Sequence, residues 1–205
     1  MKRISTLFFD IGGVILTNGW DNTAREEAAK KFQIDFDEFE KKHQDYFEEF
    51  EKGNLSLVGY LDKTIFYTKR KFTRFEVIKH MQSVSQAHDK SIEILQKLSA
   101  QNKYYIASIN NESYELNLYR IKKFDLEKYF SAFFSSCFLK LRKPDAEIYQ
   151  NTLNILHKDP SECIFIDDRE ENIEGAKKVG LNAFHLDNVN NLNKILTENG
   201  IKIFA

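Results

Sequence analysis

A single carboxylate, Asp10, ends the apolar run Leu7-Phe8-Phe9, and two glycines, Gly12 and Gly13, follow almost at once. Three other points carry reactive side chains after apolar runs or before a helix. They are Ser108 after YYIA, Lys143 in RKPDAEIY, and the pair Asp167-Asp168 after CIFI. Each alone has an ordinary explanation. An acid after a strand suits a turn or a helix cap, a serine there suits a turn, and Asp167-Asp168 suits the cap of a following helix. Together they supply a carboxylate, a hydroxyl, an ammonium and a carboxylate pair, which suits phosphoryl transfer. Adjacent carboxylates repel unless a cation joins them, and Mg²⁺ prefers oxygen ligands. A metal held by Asp10 with Asp167 or Asp168 would draw a phosphate oxygen against Asp10. Asp10 would then attack phosphorus in line and form an aspartyl-phosphate that water later hydrolyses. Lys143 would balance the charge, Ser108 would donate a hydrogen bond, and the backbone N–H groups of Ile11, Gly12 and Gly13 would cradle the phosphate.

The elements that must position these groups alternate. Short apolar runs at 5–9, 104–108 and 163–166 read as strands buried on both faces, with a weaker strand in SAFFSSCFL and a last one at 182–186. Helical patterns separate them at 91–101, 113–124, 146–156 and 171–180, the last ending on Gly180 as a C-terminal cap. Pro144 suits the first turn of its helix and places Lys143 just before it. Strand and helix in alternation imply a parallel α/β sheet covered on both faces, whose strand C-termini gather the candidate residues. About seventy residues after the first strand show helical periodicity and no convincing strand, too many for a loop. They read as an all-helical insert over 17–87, which leaves 1–16 and 88–205 for the core.

Composition narrows the class. The 205 residues are 42% hydrophobic and 30% charged, as in a globular domain, and a net charge of −1 gives no reason to expect nucleic acid or an anionic membrane as partner. Two cysteines supply neither a disulfide framework nor a metal pair, which favours a reducing compartment. Asp10 interrupts the first apolar run, so it does not read as a signal peptide, and no run is long enough to span a bilayer. A cytoplasmic location follows as the expectation. The histidines at 43, 80, 88, 157 and 185 show no metal-ligand spacing and read as surface or packing residues. Trp20 reads as a hinge-packing residue or a pocket residue.

FFDIGGVIL, ASINN, RKPDAEIY and FIDDREENIEGAKKVG, in that order, resemble the four motifs of the haloacid dehalogenase-like hydrolase superfamily. The resemblance covers about 1–16 and 88–205. It implies a Rossmann-like three-layer α/β core with a four-helix cap inserted at 17–87, and a phosphatase-like subgroup with an FD-x-G first motif. It also implies roles. Asp10 would be the nucleophile, Ser108 and Asn110 would bind phosphate, Lys143 would balance charge, and Asp10, Gly12, Asp167 and Asp168 would hold Mg²⁺, Gly12 through its carbonyl. The second motif is looser than usual, with Ile109 following Ser108.

One departure bears on mechanism. Most phosphatases of this superfamily carry an acid two residues after the nucleophile, where this chain has Gly12. Losing such an acid costs about 10²–10⁴-fold. Asp21 and Glu112 are the nearest substitutes in sequence, set against ordinary roles as a helix N-cap and a first-turn acid. The expected function is Mg²⁺-dependent hydrolysis of a small phosphorylated metabolite, by a monomer or weak dimer. Two alternatives stand beside it: a metal-independent dehalogenase, whose motif also lacks the second acid, and a non-catalytic binding or regulatory protein of the same fold.

Overall fold

A computed structural model describes residues 3–204. Five parallel strands form one sheet in the order β3-β2-β1-β4-β5. They are β1 (Thr6–Phe9), β2 (Tyr105–Asn110), β3 (Ala132–Ser135), β4 (Cys163–Asp167) and β5 (Asn182–His185). The central strands β1, β2 and β4 are buried on both faces, which accounts for their short apolar runs, and the edge strands β3 and β5 are partly exposed. Side chains alternate between those faces. Leu7 and Phe9 point into one layer with Leu95, Leu98, Leu192 and Leu196, while Phe8 points into the other with Ile148, Tyr149 and Ile173.

Helices α5 (Asp89–Ala100) and α10 (Leu192–Glu198) supply the first layer, and α8 (Ala146–Leu156) and α9 (Glu170–Lys178) the second. Helix α6 (Tyr114–Lys123) follows β2. The weak strand expected over SAFFSSCFL is shorter than its apolar length suggests. It stops at Ser135, and Ser136–Leu139 turns into the short helix α7. Gly180 sits two residues beyond α9 with φ +88°, a left-handed position that suits glycine at a helix end. Pro144 does not open α8 as expected; it precedes the Asp145 cap, and the helix begins at Ala146.

Between β1 and α5 lie four helices, α1 (Asn22–Phe32), α2 (Phe36–Glu51), α3 (Leu57–Thr64) and α4 (Arg74–Ser83). Each has a side-chain N-cap, namely Asp21, Asp35, Ser56 and Thr73, and Glu76 completes a capping box with Thr73. They share their own apolar core, built on Phe39, Phe50, Tyr60, Leu61, Val77 and Met81, to which α6 adds Leu116. Two chain segments join this block to the sheet and are pinned side by side. Thr17 N–H donates to Gln86 O at 2.8 Å, and His88 N–H to Ile15 O at 3.0 Å. Among the described residues no helix is long and apolar enough to cross a membrane.

Strand order sets the site. The chain leaves β1 toward β2 and β3, then returns to the other side for β4, so a crevice opens at the C-terminal ends of β1 and β4.

Candidate active site

Asp10 is the first residue beyond β1, and its N–H donates to Ile166 O of β4 at 2.9 Å. Its carboxylate is largely buried, and among the described residues both of its polar partners fall on Oδ1. These are the Ile11 N–H at 2.7 Å and the Lys143 Nζ at 3.0 Å. The same ammonium reaches Asp167 Oδ2 at 2.5 Å. Asp167 closes β4, and its Oδ1 accepts from the Arg169 N–H and from Asn172 Nδ2, both at 2.9 Å. Tyr149 fixes Asn172 in turn by donating to its carbonyl at 2.8 Å. Asp168 completes the trio. Its Oδ2 accepts from Asn18 Nδ2 at 3.1 Å, while its Oδ1 is buried and takes no hydrogen bond among the described residues.

One oxygen from each of Asp10, Asp167 and Asp168 can be chosen so that all lie within 4.8 Å of one another. Three carboxylates face one ammonium, so the ionised cluster carries two uncompensated negative charges in a buried place. Burial pushes the Asp10 carboxyl up to about 7, and Asp167 and Asp168 push the same way against the pull of Lys143. Burial opposes the charge on Lys143, but Asp10 and Asp167 outweigh it and raise its pKa above the ordinary lysine value. The lone buried oxygen of Asp168, the oxygen-only donor set and the double negative excess all fit a hard divalent cation such as Mg²⁺. Asp10, Asp167 and Asp168 are the residues that would hold it.

Gly13 shows how tightly this corner is built. It adopts φ +71°, and a Cβ placed on it would lie 2.2 Å from Asp168 Oδ2. Glycine is required there on both counts. Its neighbour Gly12 lines the cavity, where a Cβ would come 2.9 Å from Asn18 Oδ1 and 3.8 Å from an Arg120 guanidinium nitrogen.

The cavity in front of Asp10 measures about 290 Å³ and lies between the sheet and the four-helix block. Not every expected residue reaches it. Ser108 is fully buried and directs its hydroxyl to Asn110 Oδ1 at 3.1 Å, while Asn110 also bonds Asn117 and Ser135. Neither lines the cavity, and of the other expected residues Ile11, Gly13, Asp167 and Asp168 do not line it either. The register explains the place of Ser108, which lies beside Phe9, one residue short of Asp10. The residue from this strand end that does reach the cavity is Asn111, which the sequence did not single out. Its amide spans the backbone of Lys143, donating to the carbonyl and accepting from the N–H, each at 2.9 Å. Ile11 N–H is committed to Asp10 itself.

Of the two substitute acids, Asp21 caps α1 by accepting from the Ala24 N–H at 2.8 Å, as its ordinary role requires. Glu112 is not in a helical turn. It lies before α6, nearly buried, and pairs with Arg120 Nη1 at 2.9 Å. Both line the cavity. Trp20 does so too, and it donates from Nε1 to the Tyr60 hydroxyl at 3.0 Å. His43, expected on the surface or in packing, is buried beside that hydroxyl at 2.8 Å with part of its ring on the cavity wall. Burial and the charge of Arg25 hold its pKa down to about 4, so the ring is neutral. Across the mouth, Arg142 clasps Glu51 of α2 through Nε at 3.1 Å and Nη2 at 2.8 Å.

The family model described as haloacid dehalogenase-like hydrolase matches residues 4–180. The chain belongs to this family. A flavin mononucleotide hydrolase from Arabidopsis thaliana is 35% identical over 111 residues, which are 54% of this chain and 44% of that protein. An (S)-2-haloacid dehalogenase from Burkholderia cepacia is 29% identical over 105 residues, 51% of this chain and 45% of that one. The chain thus spans less than half the length of these two curated relatives. A HAD family enzyme from Bacteroides thetaiotaomicron superposes with a TM-score of 0.78 at 25% identity, covering 90% of this chain and 94% of that one. Structures of that enzyme include a complex with magnesium and inorganic phosphate.

Proposed function

We propose that this chain is a Mg²⁺-dependent phosphatase of a small phosphorylated metabolite, working through an aspartyl-phosphate on Asp10. The observation that carries the proposal is the meeting of Asp10, Asp167 and Asp168, the first two held by Lys143, with one Asp168 oxygen free of hydrogen bonds among the described residues. The flavin mononucleotide hydrolase activity named for the Arabidopsis relative, and the magnesium and phosphate complex of the Bacteroides enzyme, support it.

In this reading Lys143 and the Ile11 N–H hold Oδ1 of Asp10, which leaves Oδ2 to attack phosphorus. Asn111 keeps the Lys143 backbone in place, and Asn172 with the Arg169 N–H fixes Asp167. A bound divalent cation supplies charge balance for the three carboxylates and for the phosphoryl oxygens. Ser108 donates to Asn110, so contact with a phosphoryl oxygen would require its hydroxyl to turn. The four-helix block, 17–87, acts as a cap over the core of 1–16 and 88–205, and Arg142 with Glu51 bridges the two at the cavity mouth.

Gly12 favours a second reading, halide displacement from a 2-halo acid, an activity named for the Burkholderia relative. The unbalanced carboxylates weigh against it, since that displacement needs no cation. Both readings are tested by incubating the protein with p-nitrophenyl phosphate and with 2-chloropropionate, each with and without Mg²⁺. Phosphate chemistry predicts Mg²⁺-dependent nitrophenol release that Asp10→Asn abolishes. Chloride release without metal, and no nitrophenol, would reverse the assignment.

A further inference from the structure

The place of the absent acid at position 12 is not vacant. A Cβ on Gly12 would lie 2.9 Å from Asn18 Oδ1 and 3.8 Å from the Arg120 guanidinium. Arg120 reaches there from α6 and is almost fully buried. Two bonds fix its plane, one from Nη1 to Glu112 at 2.9 Å and one from Nη2 to Thr17 O at 2.7 Å. A guanidinium has five N–H donors, so each terminal nitrogen keeps a spare hydrogen, and Nε is buried with no partner among the described residues. This side chain lines the same cavity as Asp10.

The acids on that wall are acceptors in the bonds they make. Glu112 accepts from Arg120, from the Ser113 N–H and from the Ser113 hydroxyl. Asp21 accepts from the backbone of α1, and Glu51 accepts twice from Arg142. A cation therefore stands where a proton donor is expected. We propose that Arg120 receives the leaving oxygen as an anion, and that the site accordingly serves phosphate compounds with acidic leaving groups. Aryl, enol and acyl phosphates are of this class; simple alkyl phosphomonoesters are not. This rests on the phosphatase reading above and sharpens its substrate class.

The step balances without a proton. The bond from phosphorus to the leaving oxygen breaks with its electron pair on that oxygen, and the bond from Asp10 to phosphorus forms. The departing anion accepts hydrogen bonds from the spare N–H groups of the guanidinium, whose charge Glu112 already balances, and takes a proton from solvent after release. The consequence is a steep dependence on leaving-group acidity, because no acid softens the charge that develops.

The test is kcat/KM over a series of substituted phenyl phosphates with Mg²⁺, since this parameter reports events up to leaving-group departure. Rates should fall steeply as leaving-group pKa rises, the least and most acidic phenols differing by about 10²–10⁴-fold, the cost of a missing general acid. Arg120→Gln should steepen the fall, and Arg120→Lys should restore part of it. Glu112→Gln can still accept from Arg120 through its amide oxygen but cannot deliver a carboxyl proton, so any loss should be spread evenly over the series, with its slope unchanged. A shallow series in the wild-type protein would overturn the inference, because a proton donor would then be present. Loss of activity confined to poor leaving groups in Glu112→Gln would overturn it as well and name that donor. If Arg120→Gln fails to fold, the wild-type series and Glu112→Gln still decide. Hydrolysis of none of the series would instead bring down the phosphatase reading, and this inference with it.

Discussion

Replacing Gly13 by alanine should damage both the fold and the metal-ligand corner, in amounts that can be separated. The first cost is conformational: at φ +71° a residue with a Cβ pays about 1–2 kcal/mol. The second is overlap. The new carbon would lie 2.2 Å from Oδ2, 2.3 Å from Cγ and 2.8 Å from Cβ of Asp168, which no side-chain rotation of alanine can relieve. Asp168 must swing aside and give up its bond from Asn18, so overpacking adds about 1–3 kcal/mol. Together these come to roughly 2–5 kcal/mol, or a fall in melting temperature of roughly 4–20 °C for a chain of this size. Gly200 provides the control. It has φ +79° but nothing within 4 Å of its Cβ position, so Gly200→Ala carries the conformational cost alone. The assay is thermal melting of the three proteins without and with Mg²⁺. Gly13→Ala should melt lowest and lose the stabilisation by Mg²⁺, whereas Gly200→Ala should keep it. If Gly13→Ala melts with Gly200→Ala and keeps the full response to Mg²⁺, the claim that Asp168 is locked in place as a cation ligand is wrong.

Asn111→Ala removes two hydrogen bonds to the Lys143 backbone, so stability should drop by about 1–3 kcal/mol. Its kcat on an aryl phosphate should fall at least about tenfold while the Mg²⁺-induced melting shift persists, because Lys143 loses its position and the carboxylates do not. A variant with full kcat would show that Lys143 needs no such clasp. His43 predicts a pH effect on stability. Its folded pKa of about 4 lies below the unfolded value of 6.5, so the unfolded chain binds the proton first. That contribution is whole above about pH 6.5 and is lost as pH falls toward 4, with an upper bound of about 3 kcal/mol. Glu40 and Arg25 face the same ring, so the comparison is with His43→Gln over about pH 7 to 4.5. The variant should lose less melting temperature on acidification than the wild type, and parallel curves would refute the assignment.

The sequence carries the sheet and the four charged groups because each is marked locally, by a short apolar run or by the approach to a helix. Asp10, Lys143, Asp167 and Asp168 meet in the structure for that reason. Ser108 and Asn110 lie off the cavity wall for a reason that is equally local. The run YYIAS suggests a strand ending at residue 108, but β2 continues to Asn110, and side chains alternate along a strand. Ser108 and Asn110 therefore share one interior side and bond each other, while Asn111 emerges at the crevice. An error of two residues in a strand's end changes which side chain meets the site. Arg120, Asn18 and His43 carried no such mark, because they come from α6, a linker and α2, and only tertiary packing brings them to one wall. Glycine at position 12 read as a missing function; the fold puts a fixed cation beside that spot. An acid restored at Gly12 would thus meet Asn18 and pair with Arg120 before it met a substrate. For that reason Gly12→Asp alone should not convert this site into one that protonates its leaving group.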